Sequence, residues 1–127
     1  MTQEDKELLI KDLCARLPYG VKVESIFINS DTKEHKPCGI EVFDATSILM
    51  IRDGLGEFKP YLFPMSSMTE EQKREFARLL THTSSIEMIQ ITGESTYDWL
   101  NKNMFDWRGL IPKGLANNAT GLGIYKK

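Results

Sequence analysis

The densest chemistry in this sequence lies between Tyr97 and Arg108, where Tyr97, Trp99, Phe105, Asp106, Trp107 and Arg108 bring both tryptophans together with an acid and a base. Aromatic rings in a groove stack a base or a ligand ring, and an adjacent guanidinium holds a phosphate or carboxylate. A plainer reading competes with this one. Trp99 and Phe105 would then anchor a C-terminal helix in the core, with Asp106 and Arg108 making a local cap, since large aromatic residues more often pack than bind. The second unusual segment is Lys59-Pro60-Tyr61-Leu62-Phe63-Pro64. Its prolines hold the backbone extended, so it reads as an edge strand protected from pairing, or as a recognition edge presenting Tyr61. The candidate ligand- or partner-binding residues are therefore Trp99, Phe105, Asp106, Trp107, Arg108 and Tyr61.

Catalytic patterns are missing. His35 and His82 stand alone, without HxH or HExxH spacing and without a cysteine neighbour, so no metal or other cofactor is expected. There is no GxSxG, and Cys14 falls on the apolar stripe of the first helical pattern, where burial would keep its thiol inert. The acid pairs Glu4-Asp5 and Glu70-Glu71 fall in first turns of helices, where the helix dipole accounts for them. The glycines near the C-terminus form no phosphate loop after a strand. A binding protein is thus favoured over an enzyme, engaging a protein partner or a small ligand. Two alternatives stay open: a nucleic-acid module with Arg52, Lys59, Arg108 and Lys113 as its patch, and a small hydrolase of a nucleotide-like ligand using Asp106 or His82 as base.

The elements that must position these residues fit one domain spanning residues 1 to 127, with 41% hydrophobic and 27% charged residues. Sixteen basic and 18 acidic side chains leave a net charge of -2, so the basic excess of a phosphate-binding surface is absent and nucleic acid is not favoured. Two cysteines without CxxC spacing suggest reduced thiols. The polar start of the chain, and the lack of any apolar run near the roughly 18 residues that span a bilayer, point to a cytoplasmic protein without a membrane contact.

Along the chain, Thr2 and Asp5 make a capping box for a helix from Gln3 to about Arg16, with Leu9, Leu13 and Leu17 inward and the pairs Glu7-Lys11 and Asp12-Arg16 on the wet face. Pro18 and Gly20 end it. Val21 to Ile28, Ile40 to Phe43, Ser47 to Ile51 and Phe58 to Phe63 read as strands of an antiparallel meander, the nearly all apolar Ser47 to Ile51 as its central one, with Asn29 to Cys38 as a loop or hairpin connection. That count leaves room for a partly closed five-stranded barrel of the SH3 kind. Ser67 with Glu70, or Thr69 with Gln72, caps a second helix to about Leu80, Ile86 to Ile91 reads as a strand, and Ser95 with Asp98 opens a third helix. Residues 117 to 127 should move unless Leu122, Ile124 and Tyr125 dock. The class is α+β. Phe58 to Phe63 also offers an edge through which two copies would pair.

The stretches Lys11 to Lys22, Lys59 to Thr69, and Phe105-Asp106-Trp107-Arg108-Gly109-Leu110-Ile111 read together resemble a family of small proteins encoded by gut bacteria of the Bacteroides group and by their phages and prophages. They run in the same order across most of the chain, with Glu24 to Glu57 as the variable part. The resemblance brings no catalytic residue, cofactor or activity. It implies a mobile-element setting, in which a short protein that binds host or phage components is expected.

Overall fold

The structure is a computed structural model that describes residues 2–29, 31–82 and 96–125. Helix α1 (Gln3–Arg16) opens on the expected capping box: Asp5 N donates to Thr2 Oγ1 at 3.0 Å and Thr2 N to the Asp5 carboxylate at 3.2 Å. These bonds, the backbone one first, hold the Asp5 carboxyl below its usual pKa. A 3-10 turn at Leu17–Tyr19 follows, and Gly20, at φ 72°, turns the chain into β1 (Lys22–Ile28).

Strand β2 (His35–Val42) pairs antiparallel with β1, and β3 (Gly56–Leu62) pairs antiparallel along the other side of β1. A two-residue strand, β4 (Asn117–Asn118), lies parallel to the end of β3, so the sheet order is β2-β1-β3-β4. The polar segment Asn29 to Cys38 is a hairpin connection whose last residues, His35–Cys38, already belong to β2. Ser25 faces Gly39 and Ile26 faces Pro37, so Cys38 is bulged out of the ladder. All of β2 is exposed, which is why its composition does not look like a strand with a buried face.

The stretch Ser47 to Ile51 is not a central strand. It forms helix α2 (Thr46–Arg52), because the Asp44 carboxylate accepts from Ser47 N at 3.1 Å and from the Thr46 and Ser47 hydroxyls, and so caps the first turn. The hydroxyl of Thr46 is the main cause of Asp44's lowered pKa. Ser47 and Ile51, one turn apart, are the buried pair. With this helix in place of a strand, the described residues make an open mixed sheet rather than a five-stranded barrel.

Helix α3 (Glu70–His82) starts on a second capping box, with Thr69 N donating to Gln72 Oε1 at 2.9 Å and Gln72 N to Thr69 Oγ1 at 3.1 Å. Helix α4 (Thr96–Lys102) is the expected third helix. The strand expected over Ile86 to Ile91 lies outside the described residues. The four described helices and the sheet make an α+β fold. No described helix is long and apolar enough to cross a membrane.

The core has two parts. Leu9, Leu13, Val21, Val23, Leu62 and Leu110 are sealed between α1 and the sheet, each burial contributing roughly 1.5–3 kcal/mol. Met68, Trp99, Leu100 and Phe105 form the other part, beneath α3.

Two placements on α1 run against the charge and apolar patterns. Asp12 and Arg16 are wholly buried, whereas Cys14 is exposed and so does not join the apolar stripe. The C-terminal segment is held by Tyr125 while Leu122 stays exposed. Tyr125 Oη accepts from Lys22 N at 2.8 Å and donates to the Tyr61 carbonyl at 2.8 Å.

Candidate functional site

Helix α4 ends in a Schellman turn that determines where the aromatic segment lies. Phe105 N donates to the Leu100 carbonyl at 2.9 Å and Met104 N to that of Asn101 at 3.1 Å. Met104 takes the left-handed position at φ 60°, where glycine is usual and another residue costs about 1 kcal/mol. Its side chain is buried, so apolar contacts offset that cost. The chain then runs beside Phe63, with Phe63 N donating to the Met104 carbonyl and Asp106 N to the Phe63 carbonyl, both at 2.8 Å.

This path lines up five rings. Phe76 stacks on Trp99 at 5.6 Å between centroids and Trp99 on Phe105 at 5.7 Å. Phe105 meets Phe63 at 6.3 Å, and Phe63 meets Tyr125 at 5.9 Å. Trp99 and Phe105 are buried, so they are core anchors, as the plainer sequence reading has it.

Asp106 is also structural. Its two carboxylate oxygens accept from Leu110 N at 2.7 Å and Ile111 N at 2.9 Å, closing the turn that follows. These two bonds fix the orientation of the carboxylate within its own turn. Arg108 makes no local cap. Its Nη1 donates to Asp12 Oδ1 at 2.9 Å, across to α1, while its guanidinium lies 4.0 Å from the centre of the Trp107 ring. Trp107 is half-buried, tied by Nε1 to Asn101 Oδ1 at 2.9 Å, and carries the exposed Tyr97 at 4.7 Å.

Asp12 therefore serves two arginines. Arg16 Nε donates to it at 2.9 Å and Arg16 Nη2 at 3.1 Å, and the same Nη2 reaches the Phe105 carbonyl at 2.6 Å. Arg16 Nη1 is buried with no hydrogen-bond partner among the described residues. The cluster fastens α1 to the backbone of the aromatic segment and carries one more positive than negative charge.

Beside this segment opens a cleft of about 450 Å³, within the usual range for small-molecule sites. Met104, Phe105, Phe63 and Tyr125 supply its apolar surface. Ser67, Thr69 and Gln72 come from the approach to α3 and its first turn, Lys102 and Asn103 from the end of α4, and Tyr19, Thr120 and Gly121 from the opposite side.

Of the six candidate residues, only Phe105 lines this cleft. Trp99 lies behind it, Asp106 and Arg108 brace it, Trp107 lies against Arg108, and Tyr61 is buried in β3, with its hydroxyl pKa raised chiefly by burial. Within β3, Gly56–Pro60 pairs with β1 and Tyr61 and Leu62 pair with β4, so Tyr61 itself does not lie on an open recognition edge. The cleft residues unforeseen from sequence come from five separate segments, and only the Thr69–Gln72 capping box among them left a local signal. Among the described residues, no group of three histidines, cysteines or acids is placed to hold a metal ion.

The chain matches no protein-family model, no curated protein and no solved structure. What the site does has to be argued from its own geometry.

Proposed function

We propose that this chain is a non-enzymatic binding protein that holds a small ligand in the cleft between the first turn of α3, the end of α4 and the C-terminal segment. The observation that carries this reading is the cleft itself: an apolar surface of Phe63, Met104, Phe105 and Tyr125 bordered by the polar side chains of Ser67, Thr69, Gln72, Lys102 and Asn103. The burial of Asp106 and the bonds from both its oxygens to backbone N–H groups favour a structural role for it over that of the base in the hydrolase alternative. Arg52 is paired with its neighbour Asp53 and Arg108 with Asp12, which weakens a joint phosphate-binding patch. A phage or prophage setting rests on the resemblance of the three sequence segments alone.

A protein partner is the second reading, favoured by Tyr97, which is 60% exposed and lies tilted against Trp107 next to Arg108. Tyrosine, tryptophan and arginine are the residue types that dominate interface energetics. Native mass spectrometry of protein produced in its own organism separates the two. A small-molecule adduct present in the wild type and lost in Thr120→Trp, which fills the cleft mouth from an exposed position, supports the cleft. A complex with another protein, abolished by Tyr97→Ala and unaffected by Thr120→Trp, would replace it with the second reading.

A further inference from the structure

We infer that β2 pairs with β2 of a second copy of this chain, antiparallel about a two-fold axis at Ile40, so that the sheet runs on from one protomer into the other. This surface is separate from the cleft.

The first argument is which edge of the sheet stands open. Among the described strands β2 is outermost, and it is exposed at all 8 of its positions. On the other side of the sheet, the stretch Gly56–Pro60 of β3 is buried or half-buried at every position. Within β2 the two halves differ. The first holds Lys36, then Pro37 with no N–H to give, then the bulge at Cys38, three devices that discourage pairing with another chain. The second half, Gly39 to Val42, has neither proline nor bulge. Phe43 N donates to the Val21 carbonyl at 2.9 Å, which turns the backbone groups of Phe43, Glu41 and Gly39 toward β1. The N–H and C=O of Ile40 and Val42 therefore point away from the sheet, and their side chains are 55% and 56% exposed.

The second argument identifies the occupant by its charge pattern. Glu41, Gly39 and Lys36 lie opposite Val23, Ser25 and Phe27 of β1, so they share one face, while Ile40 and Val42, opposite Glu24 and Lys22, share the other. With Ile40 facing the partner's Ile40, the central pair exchanges two backbone hydrogen bonds. Glu41 then lies opposite the partner's Gly39, where no side chain intrudes, and diagonal to the partner's Lys36. Such diagonal neighbours are roughly 7–8 Å apart, within reach of long side chains. Symmetry makes the same contact twice. On the other face, Ile40 and Val42 of both copies join in one β-branched patch. Placing the axis at Glu41 would set two carboxylates against each other, and placing it at Gly39 would put Ile40 against the partner's bulge. A second copy thus supplies cation, gap and apolar contact through symmetry alone. The pairing covers a short stretch, so the dimer belongs with small transient interfaces.

The test is sedimentation equilibrium of the full chain in reducing buffer, since Cys38 is exposed beside the edge. A monomer–dimer equilibrium with a Kd between about 1 μM and about 1 mM is expected. Ile40→Lys opposes two ammonium groups at the axis and should weaken the dimer by about tenfold or more. Ile40 is exposed, so the urea midpoint of the monomer should not move. Glu41→Lys sets a lysine beside the partner's Lys36 and should weaken the dimer about fivefold, and adding Lys36→Glu should restore it. Both of these positions are exposed, so the charge exchange reads the interface even if Ile40→Lys disturbs the strand. A wild type that is still monomeric at about 1 mM, a dimer unchanged by Ile40→Lys, or a double variant no tighter than Glu41→Lys would each overturn the inference.

Discussion

Replacing Asp12 with asparagine removes the single negative charge between two arginines while keeping the side chain's shape. Asp12 and Arg16 are fully buried and Arg108 is 12% exposed, so water cannot replace the lost charge. Three hydrogen bonds of 2.9 to 3.1 Å end on the carboxylate, and an asparagine amide turns donors toward donors at one of its two positions. Breaking a buried ion pair by removing one partner costs about 3–5 kcal/mol. Against the roughly 5–15 kcal/mol of a small domain, that is about a fifth or more of the total. At about 3–5 °C per kcal/mol for a chain of this length, the melting temperature falls by roughly 10–20 °C. Urea unfolding at pH 7, followed by tryptophan fluorescence, measures the change. The pair Asp12→Leu with Arg16→Met should cost less than the sum of its single changes by about 2 kcal/mol. It should not be neutral, because the Phe105 carbonyl loses its donor. An Asp12→Asn protein within about 1 kcal/mol of wild type would refute the assignment of Asp12 as the counter-ion of both arginines.

Tyr125→Phe should destabilise by roughly 1–3 kcal/mol at neutral pH, since Lys22 N loses its acceptor. Burial pushes the Tyr125 hydroxyl up to about 12, against about 10 in an unfolded chain. Below pH 10 both forms are neutral and the difference between wild type and variant is constant. Between pH 10 and 12 the unfolded chain ionises first, so the wild type alone loses up to about 2–3 kcal/mol. Urea titrations at pH 9 and pH 11 should show the gap closing, and an unchanged gap would contradict the buried hydroxyl. Cys14 and Cys38 are both exposed, so a colorimetric thiol reagent should titrate both in the native protein. Reaction of Cys14 only after urea addition would return it to the core.

Local signals in the sequence translated well into structure, and long-range ones did not. Both capping boxes, Thr2–Asp5 and Thr69–Gln72, are read three residues apart and form as expected. The apolar run from Ile48 to Ile51 suits a strand or a buried helix equally, and Asp44 decides it from outside the run. Asp12 and Arg16 have the spacing of a solvated helix pair. What buries them is Arg108, 96 positions away, together with the Phe105 carbonyl. The aromatic segment stands out in composition because it fills and braces a core. The cleft is invisible in sequence because it forms only when the first turn of α3, the end of α4 and the C-terminal segment meet around Phe63.

The cleft is tested most directly by a nitrogen–proton correlation spectrum of the labelled chain during titration with 1-naphthol, an apolar ring carrying one hydroxyl. Shifts should saturate and cluster on Ser67, Thr69, Gln72, Asn103 and Gly121, with the β1–β2 hairpin unmoved. No saturable shift, or shifts centred on the exposed hairpin or on Tyr97, would contradict the cleft as the ligand site.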